Sequence, residues 1–326
     1  MIPDAGTQPS QPWSRRRAGV LLHPASLPGP GRFGVLGDEA RRFVDLIAAA
    51  GFTVWQVLPV GPVDASLSPY LLKSVNAGNP QLIDSERSRF PTRSEFRDFY
   101  AANRSWVTPY AMFMALRERY RDAPWWEWPE GLRNHDPHAM SAALVEMRKA
   151  MRRIIVRQIV FERQWTDLKR YAHERGVQIF GDLPFYVDHD SVETWWHRRL
   201  FKLDASGHPG VVAGVPPDYF SEEGQRWGNP VYDWDRMRAD GYRWWCERIA
   251  AQLRRFDAVR IDHFRALHAC WEIPADSPSA RDGQWSPVPG DELLATLKNR
   301  FEHLPLFAED LGTITPQVHA LRERFG

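Results

Sequence analysis

AGVLLHPASLPGPGRFGVLGDEARRFVDLIAAAGFTVWQVL, residues 18–58, is the stretch on which the fold class turns. Its first five residues are apolar and short enough for one buried strand. A loop rich in Gly and Pro follows over 24–37. Asp38 can cap a helix in which Ala40, Phe43, Val44, Ile47 and Ala50 recur at helical spacing. Gly51 is a natural residue just past the helix end, and 53–58 reads as a second buried strand. Strand, loop, helix and strand in this order make a βα unit, which predicts parallel pairing.

The same unit recurs further along. A long helical periodicity over 141–175 carries Met151, Ile154, Ile155, Trp165, Leu168 and Ala172 near one face, and ends at Gly176. A third strand is expected at 177–180. Tyr242, Trp245, Ile249, Leu253 and Phe256 mark another helix, followed by a fourth strand at 258–261 and a fifth at 304–308. Residues 84–140, where Trp and charged residues alternate with helical runs, read as a helical insertion. The expected fold is α/β, a (β/α)8 TIM-barrel type with that insertion, apparently truncated, since about five strands are legible and closure needs eight. An open doubly wound sheet is the alternative. No Gly-x-Gly-x-x-Gly follows a strand, which weakens its dinucleotide-binding version. The expected divisions are an extended or disordered segment over 1–16, barrel over 17–83, insertion over 84–140, and barrel again over 141–326 with a long loop at 183–235.

Composition narrows the function. The 326 residues carry 42 basic and 41 acidic side chains, a net charge of +1. A general nucleic-acid binder would show a basic excess, so nucleic acid is not an expected partner. Cys246 and Cys270 are too few for a disulfide framework and suit a reducing, cytoplasmic setting. The first residues lack the apolar core of a secretory signal. The longest uncharged stretch, 46–63, contains Gly51, Gln56, Pro59, Gly61 and Pro62, so no membrane span is expected. Fifteen Trp, 17 Phe and 9 Tyr make aromatics abundant, as a sugar-binding groove requires, although aromatics also fill cores.

Chemistry is expected at the carboxyl ends of the strands. These ends read His23, Pro59, Asp182, Asp262 and Glu309-Asp310. Alternation sends Arg260 and Asp262 to one side of their strand. The guanidinium is expected to lower the Asp262 pKa and keep it ionised, while Glu309 in a less polar spot would donate a proton. Such a pair, with carboxyl groups roughly 5 Å apart, serves a retaining glycosidase or glycosyl transferase. A structural ion pair at the strand end is the competing interpretation. A metal site from His23, Asp188, His189, Asp190 and His263 has no supporting motif, and a serine hydrolase lacks its Gly-x-Ser-x-Gly.

The stretch Val259-Arg260-Ile261-Asp262-His263-Phe264-Arg265 resembles the nucleophile strand of the amylomaltases (4-α-glucanotransferases, glycoside hydrolase family 77). Ala308-Glu309-Asp310-Leu311-Gly312 with Thr315-Pro316 resembles their acid/base segment. Gly214-Val215-Pro216-Pro217-Asp218-Tyr219-Phe220 and Gly224-Gln225-Arg226-Trp227-Gly228-Asn229-Pro230 are similar to their active-site loop. Gly181-Asp182-Leu183-Pro184, Trp55-Gln56-Val57-Leu58-Pro59, Ser68-Pro69-Tyr70 and Ala77-Gly78-Asn79-Pro80 match in family order. The resemblance implies that Asp262 is the nucleophile and Glu309 the general acid/base, with Arg260 orienting Asp262. It implies that Tyr70 stacks on the donor sugar, that Asp182 hydrogen-bonds its hydroxyls, and that Trp227 and Asn229 lie on the loop guiding the glucan. Maltooligosaccharides and α-1,4-glucans would be the substrates, and no metal or organic cofactor is required.

Departures are also visible. Leu71-Leu72 stand where the family carries Gln-Ser, Leu67 replaces its Asp, and Ala65 replaces a Tyr of a remote glucan site. The family's third carboxylate, in a His-Asp-Asn segment, has no match. The chain is therefore expected to be part of a longer enzyme, or a truncated form with little activity. A plain α-glucan hydrolase and a non-catalytic glucan-binding chain are the alternatives to transfer.

Overall fold

The computed structural model describes residues 13, 15–219, 221–312 and 314–326. Most of the segment expected over 1–16 lies outside the described residues, as do Phe220 and Thr313. Five strands, β1 (Gly19–Leu21), β2 (Val54–Gln56), β3 (Gln178–Leu183), β6 (Ala258–Ile261) and β9 (Leu306–Ala308), pair in the order β1-β2-β3-β6-β9. Every pairing is parallel. The sheet is an arc that does not close, so β1 and β9 are edges among the described residues.

Alternation divides the two faces of this arc. Trp55, Ile179 and Val259 are fully buried toward the helices. Gly181 shares that side, and a Cβ there would meet the Phe256 ring at 2.2 Å, so only glycine lets Phe256 pack so close. Phe180, Asp182, Arg260 and Phe307 point the other way, as the registers Asp182↔Arg260 and Arg260↔Phe307 require. Trp13 packs on that inner face against Phe180 and Phe307, with ring centroids 5.7 and 5.5 Å away.

Helix α1 (Asp38–Ala49) buries Ala40, Val44 and Ile47 against the sheet. Its cap is Gly37 rather than Asp38, which begins the first turn together with Glu39 and complements the helix dipole there. Gly51 ends the segment at φ +85°, as its place in the sequence predicted. The helix Arg148–Glu174 is shared between two cores. Phe161, Trp165, Leu168 and Ala172 join the sheet core. Met151, Ile155 and Ile159 join a second cluster with Tyr110, Phe113 and Leu116 of α2 (Arg93–Arg119) and with Trp125, Trp128 and Trp195. Thr92 and Glu95 form a capping box at the start of α2.

The long loop expected over 183–235 is not irregular throughout. It contains β4 (Val211–Val215) and β5 (Gln225–Pro230), which pair antiparallel and join β7 (Ala269–Pro274) and β8 (Gln284–Pro287) in a second sheet, ordered β5-β4-β7-β8. Cys246 and Cys270 are both free thiols. No helix of the described residues is long and apolar enough to cross a membrane.

Candidate active site

The sheet itself places the acidic residues. The Asp262 N–H donates to Leu183 O (3.0 Å) and the Glu309 N–H to Ile261 O (3.1 Å), so each extends the ladder one step beyond its strand. Their side chains emerge at neighbouring strand ends, on the face that Asp182 and Arg260 already occupy. Arg260 joins them. Its Nη1 donates to Asp182 Oδ1 (2.6 Å) and its Nη2 to Asp262 Oδ1 (2.7 Å), while Nη2 lies 3.3 Å from Glu309 Oε2. One nitrogen touching both carboxylates keeps Asp262 Oδ1 and Glu309 Oε2 within about 6 Å of each other, a spacing compatible with a retaining pair.

The electrostatics correct one expectation. Arg260 does pull the Asp262 pKa down, but burial outweighs it, and Asp182 and Glu309 push the same way as burial. The carboxyl is raised to about 6 instead of being lowered. One guanidinium shared among three carboxylates cannot fully neutralise any of them. The surroundings of Glu309 differ from expectation as well. Its Oε2 accepts the His263 N–H at 2.6 Å and faces Arg260, so that oxygen sits among donors rather than in an apolar spot. His263 has φ +53°, and this left-handed turn directly after Asp262 aims its N–H back at Glu309.

Asp182 is placed differently from its expected role as a ligand of sugar hydroxyls. Its side chain is only 1% exposed, with Oδ1 held by Arg260 and Oδ2 by the Tyr70 hydroxyl, which donates at 2.7 Å. Burial raises its pKa, which Arg260 and Tyr70 oppose. Burial, reinforced by the Asp182 charge, keeps the Tyr70 phenol well above its ordinary value, so Tyr70 remains a donor. Asp182 thus fixes Tyr70 and Arg260 from behind.

Trp227 and Asn229 stand on β5. Trp227 is 36% exposed and meets the His263 ring edge-on, centroids 4.8 Å apart. Asn229 Nδ2 donates to Val187 O at 2.8 Å, which ties β5 to the segment after β3. All seven expected residues therefore belong to one connected region, five in the Tyr70–Asp182–Arg260–Asp262–Glu309 network and two on β5. Four of the five candidate metal ligands are engaged elsewhere, and His263 Nε2 is buried without a hydrogen-bond partner. His23 Nδ1 accepts from Ala25 N and its Nε2 meets Pro59 O, His189 Nε2 meets Gly207 O, and Asp188 and Asp190 hold Lys73. The reading of the sequence missed Lys73 and the backbone role of His263. A lysine three residues beyond Ser-Pro-Tyr, in a chain whose positive charge is nearly all arginine, was the available signal for the first.

Parallel β/α architecture with acids at the strand ends is the arrangement of barrel-type enzymes, whose sites lie at the carboxyl ends of the strands. The family described as 4-alpha-glucanotransferase matches residues 22–93 and 85–326. The chain is 43% identical to the 4-alpha-glucanotransferase of Thermus thermophilus, over 95% of this chain and 71% of that protein. It is 40% identical to that of Aquifex aeolicus, over 95% of this chain and 72% of the other. It superposes on the amylomaltase from Streptococcus agalactiae in complex with acarbose with a TM-score of 0.88 at 34% identity, covering 95% of this chain and 72% of that one. The chain belongs to the 4-α-glucanotransferase family, the amylomaltases, whose reaction is the transfer of α-glucan segments.

Proposed function

We propose that the chain disproportionates maltooligosaccharides and α-1,4-glucans by a retaining double displacement. Asp262 attacks the anomeric carbon of the donor as Glu309 protonates the departing glycosidic oxygen. A glycosyl ester on Asp262 and a shortened glucan result. Glu309, now a carboxylate, takes the proton of an acceptor sugar hydroxyl, whose oxygen attacks the anomeric carbon and frees Asp262. Transfer prevails over hydrolysis when acceptor binding excludes water, and Trp227 supplies an aromatic wall for that acceptor. Tyr70, held by Asp182, offers its ring to the donor sugar, and Asn229 anchors the loop beside it. Acarbose in the Streptococcus agalactiae structure supports ligands of this class.

The observation that carries this reading is the single Arg260 nitrogen that touches both carboxylates. A fluorinated glycosyl fluoride, which slows release of the ester, tests it. Digestion and mass spectrometry are expected to find the sugar on the peptide containing Asp262, and the Asp262→Asn variant is expected to stay unlabelled. A label elsewhere would overturn the assignment. We also take residues 84–140 as an insertion subdomain whose apolar side shares a core with the helix Arg148–Glu174. Two unpaired thiols suit work in the cytosol.

A further inference from the structure

Lys73 lies outside the network described above. Its ammonium is buried, with the side chain 4% exposed, and three carboxylates surround it. Asp188 Oδ2 is 2.7 Å away, Asp190 Oδ2 3.2 Å and Asp64 Oδ2 3.4 Å. Arg117 of α2 also pairs with Asp190. Burial opposes the charge on Lys73, but Asp188 and Asp190 outweigh it, so the ammonium is held above its ordinary pKa.

The place of this cluster in the chain gives it meaning. Val63 and Leu72 form an antiparallel bridge, which makes residues 63–72 a small hairpin with Tyr70 two residues before its closing bridge. Lys73 follows the base of that hairpin. Its N–H donates to Pro62 O at 2.8 Å, and its ammonium reaches Asp64 on the opposite arm. Asp64 in turn caps the arm by accepting from the Ser66 N–H and hydroxyl, at 2.8 and 2.6 Å. Asp188 and Asp190 belong to the segment that continues β3, the strand of Asp182. The Tyr70 hairpin is therefore clamped to one segment twice, by Tyr70–Asp182 just before its closing bridge and by Lys73–Asp188/Asp190 just after it. Arg248 supports that segment from beneath, donating to Phe185 O at 3.0 Å.

We propose that Lys73 is a positioning residue for the donor sugar, clamping the Tyr70 hairpin to the segment after β3 so that the Tyr70 ring is held at the donor position. The inference rests on the donor-site role of Tyr70 given above. Without Lys73, Asp190 keeps Arg117 but Asp64 and Asp188 lose the ammonium they face, and the mutual repulsion of the three carboxylates would part the hairpin base from Asp188. Lys73 touches no reacting atom and acts only through Tyr70.

A double-mutant cycle on the full chain tests this, with maltotriose as the probe. Lys73→Met is expected to weaken calorimetric affinity and raise KM by about tenfold, with kcat changed by less than about threefold. In a Tyr70→Ala background the same substitution is expected to change affinity by less than about twofold, because its route of action is already gone. Lys73→Arg is expected to restore most of the affinity. Asp188→Asn, which keeps Lys73 paired to Asp190, is expected to give a smaller loss that also vanishes with Tyr70→Ala, and it serves if Lys73→Met does not fold. Equal losses in both backgrounds, or unchanged affinity, would overturn the proposal. Failure of the double-displacement reading shows separately, as full transfer by Asp262→Asn, and leaves the calorimetric cycle interpretable.

Discussion

Replacing Arg260 with Met removes the cation shared by Asp182, Asp262 and Glu309. With its pKa at about 6, Asp262 is roughly nine-tenths ionised at neutral pH. An opposite charge at hydrogen-bond distance lowers a carboxyl by about one to three pKa units. Losing it therefore carries Asp262 to about 8 and leaves roughly a tenth of the nucleophile ionised at neutral pH. Titration alone then lowers kcat/KM about tenfold at neutral pH, or about 1.4 kcal/mol in the barrier, and the acid limb of the profile moves to higher pH. A further, pH-independent loss reflects the lost orientation of Asp262. The assay is kcat/KM for maltotriose disproportionation against pH, following glucose release. Arg260→Lys is the control. It keeps the charge but not the two-pronged geometry, so its acid limb stays near 6 while the plateau falls. An Arg260→Met profile that drops uniformly, with its acid limb still near 6, would refute the electrostatic argument.

Two other outcomes follow from particular side chains. Trp227→Ala is expected to raise the ratio of hydrolysis to transfer several-fold with little change in Tm, since this exposed ring covers the cleft beside His263 rather than filling a core. Product chromatography after incubation with maltotriose reads the ratio, and an unchanged ratio counts against the loop as a water barrier. Glu193 is buried with Oε2 unpartnered, and burial raises its carboxyl from 4.5 to about 7. The folded state thus holds the proton more firmly than the unfolded chain. The associated stability is full below about pH 4.5 and is lost as pH rises to about 7, a change of roughly 3 kcal/mol. Denaturant midpoints across that window are expected to slope in the parent and to slope less in Glu193→Gln, where the Asp262 contribution remains, and parallel slopes would exclude Glu193 as a source.

Much of this arrangement can be read from local pattern. Short apolar runs ended by Gly, Pro or Asp placed the parallel strands, and period-two alternation put Arg260 beside Asp262. Local pattern could not reveal that burial and two further carboxylates would reverse the direction of the Asp262 shift, because those neighbours come from β3 and β9, far away in sequence. It also could not separate β4 and β5 from loop. Their residues are punctuated by Gly and Pro, and β7, the second partner of β4, follows about forty residues beyond β5. Asp182 presented an acid at a strand end without any sign that both of its oxygens would be engaged.

The hairpin carrying Trp227 and Asn229 belongs to a sheet of its own, while the acids sit on the parallel arc. On the roles proposed above, bond-breaking and grip on the polymer would be built on separate scaffolds. Substitutions along β4 and β5 away from Trp227 and Asn229 would then alter the proposed grip while leaving the hydrogen-bonded ladder under Asp262 and Glu309 in place, which would give a lineage room to diversify its products while keeping one reaction.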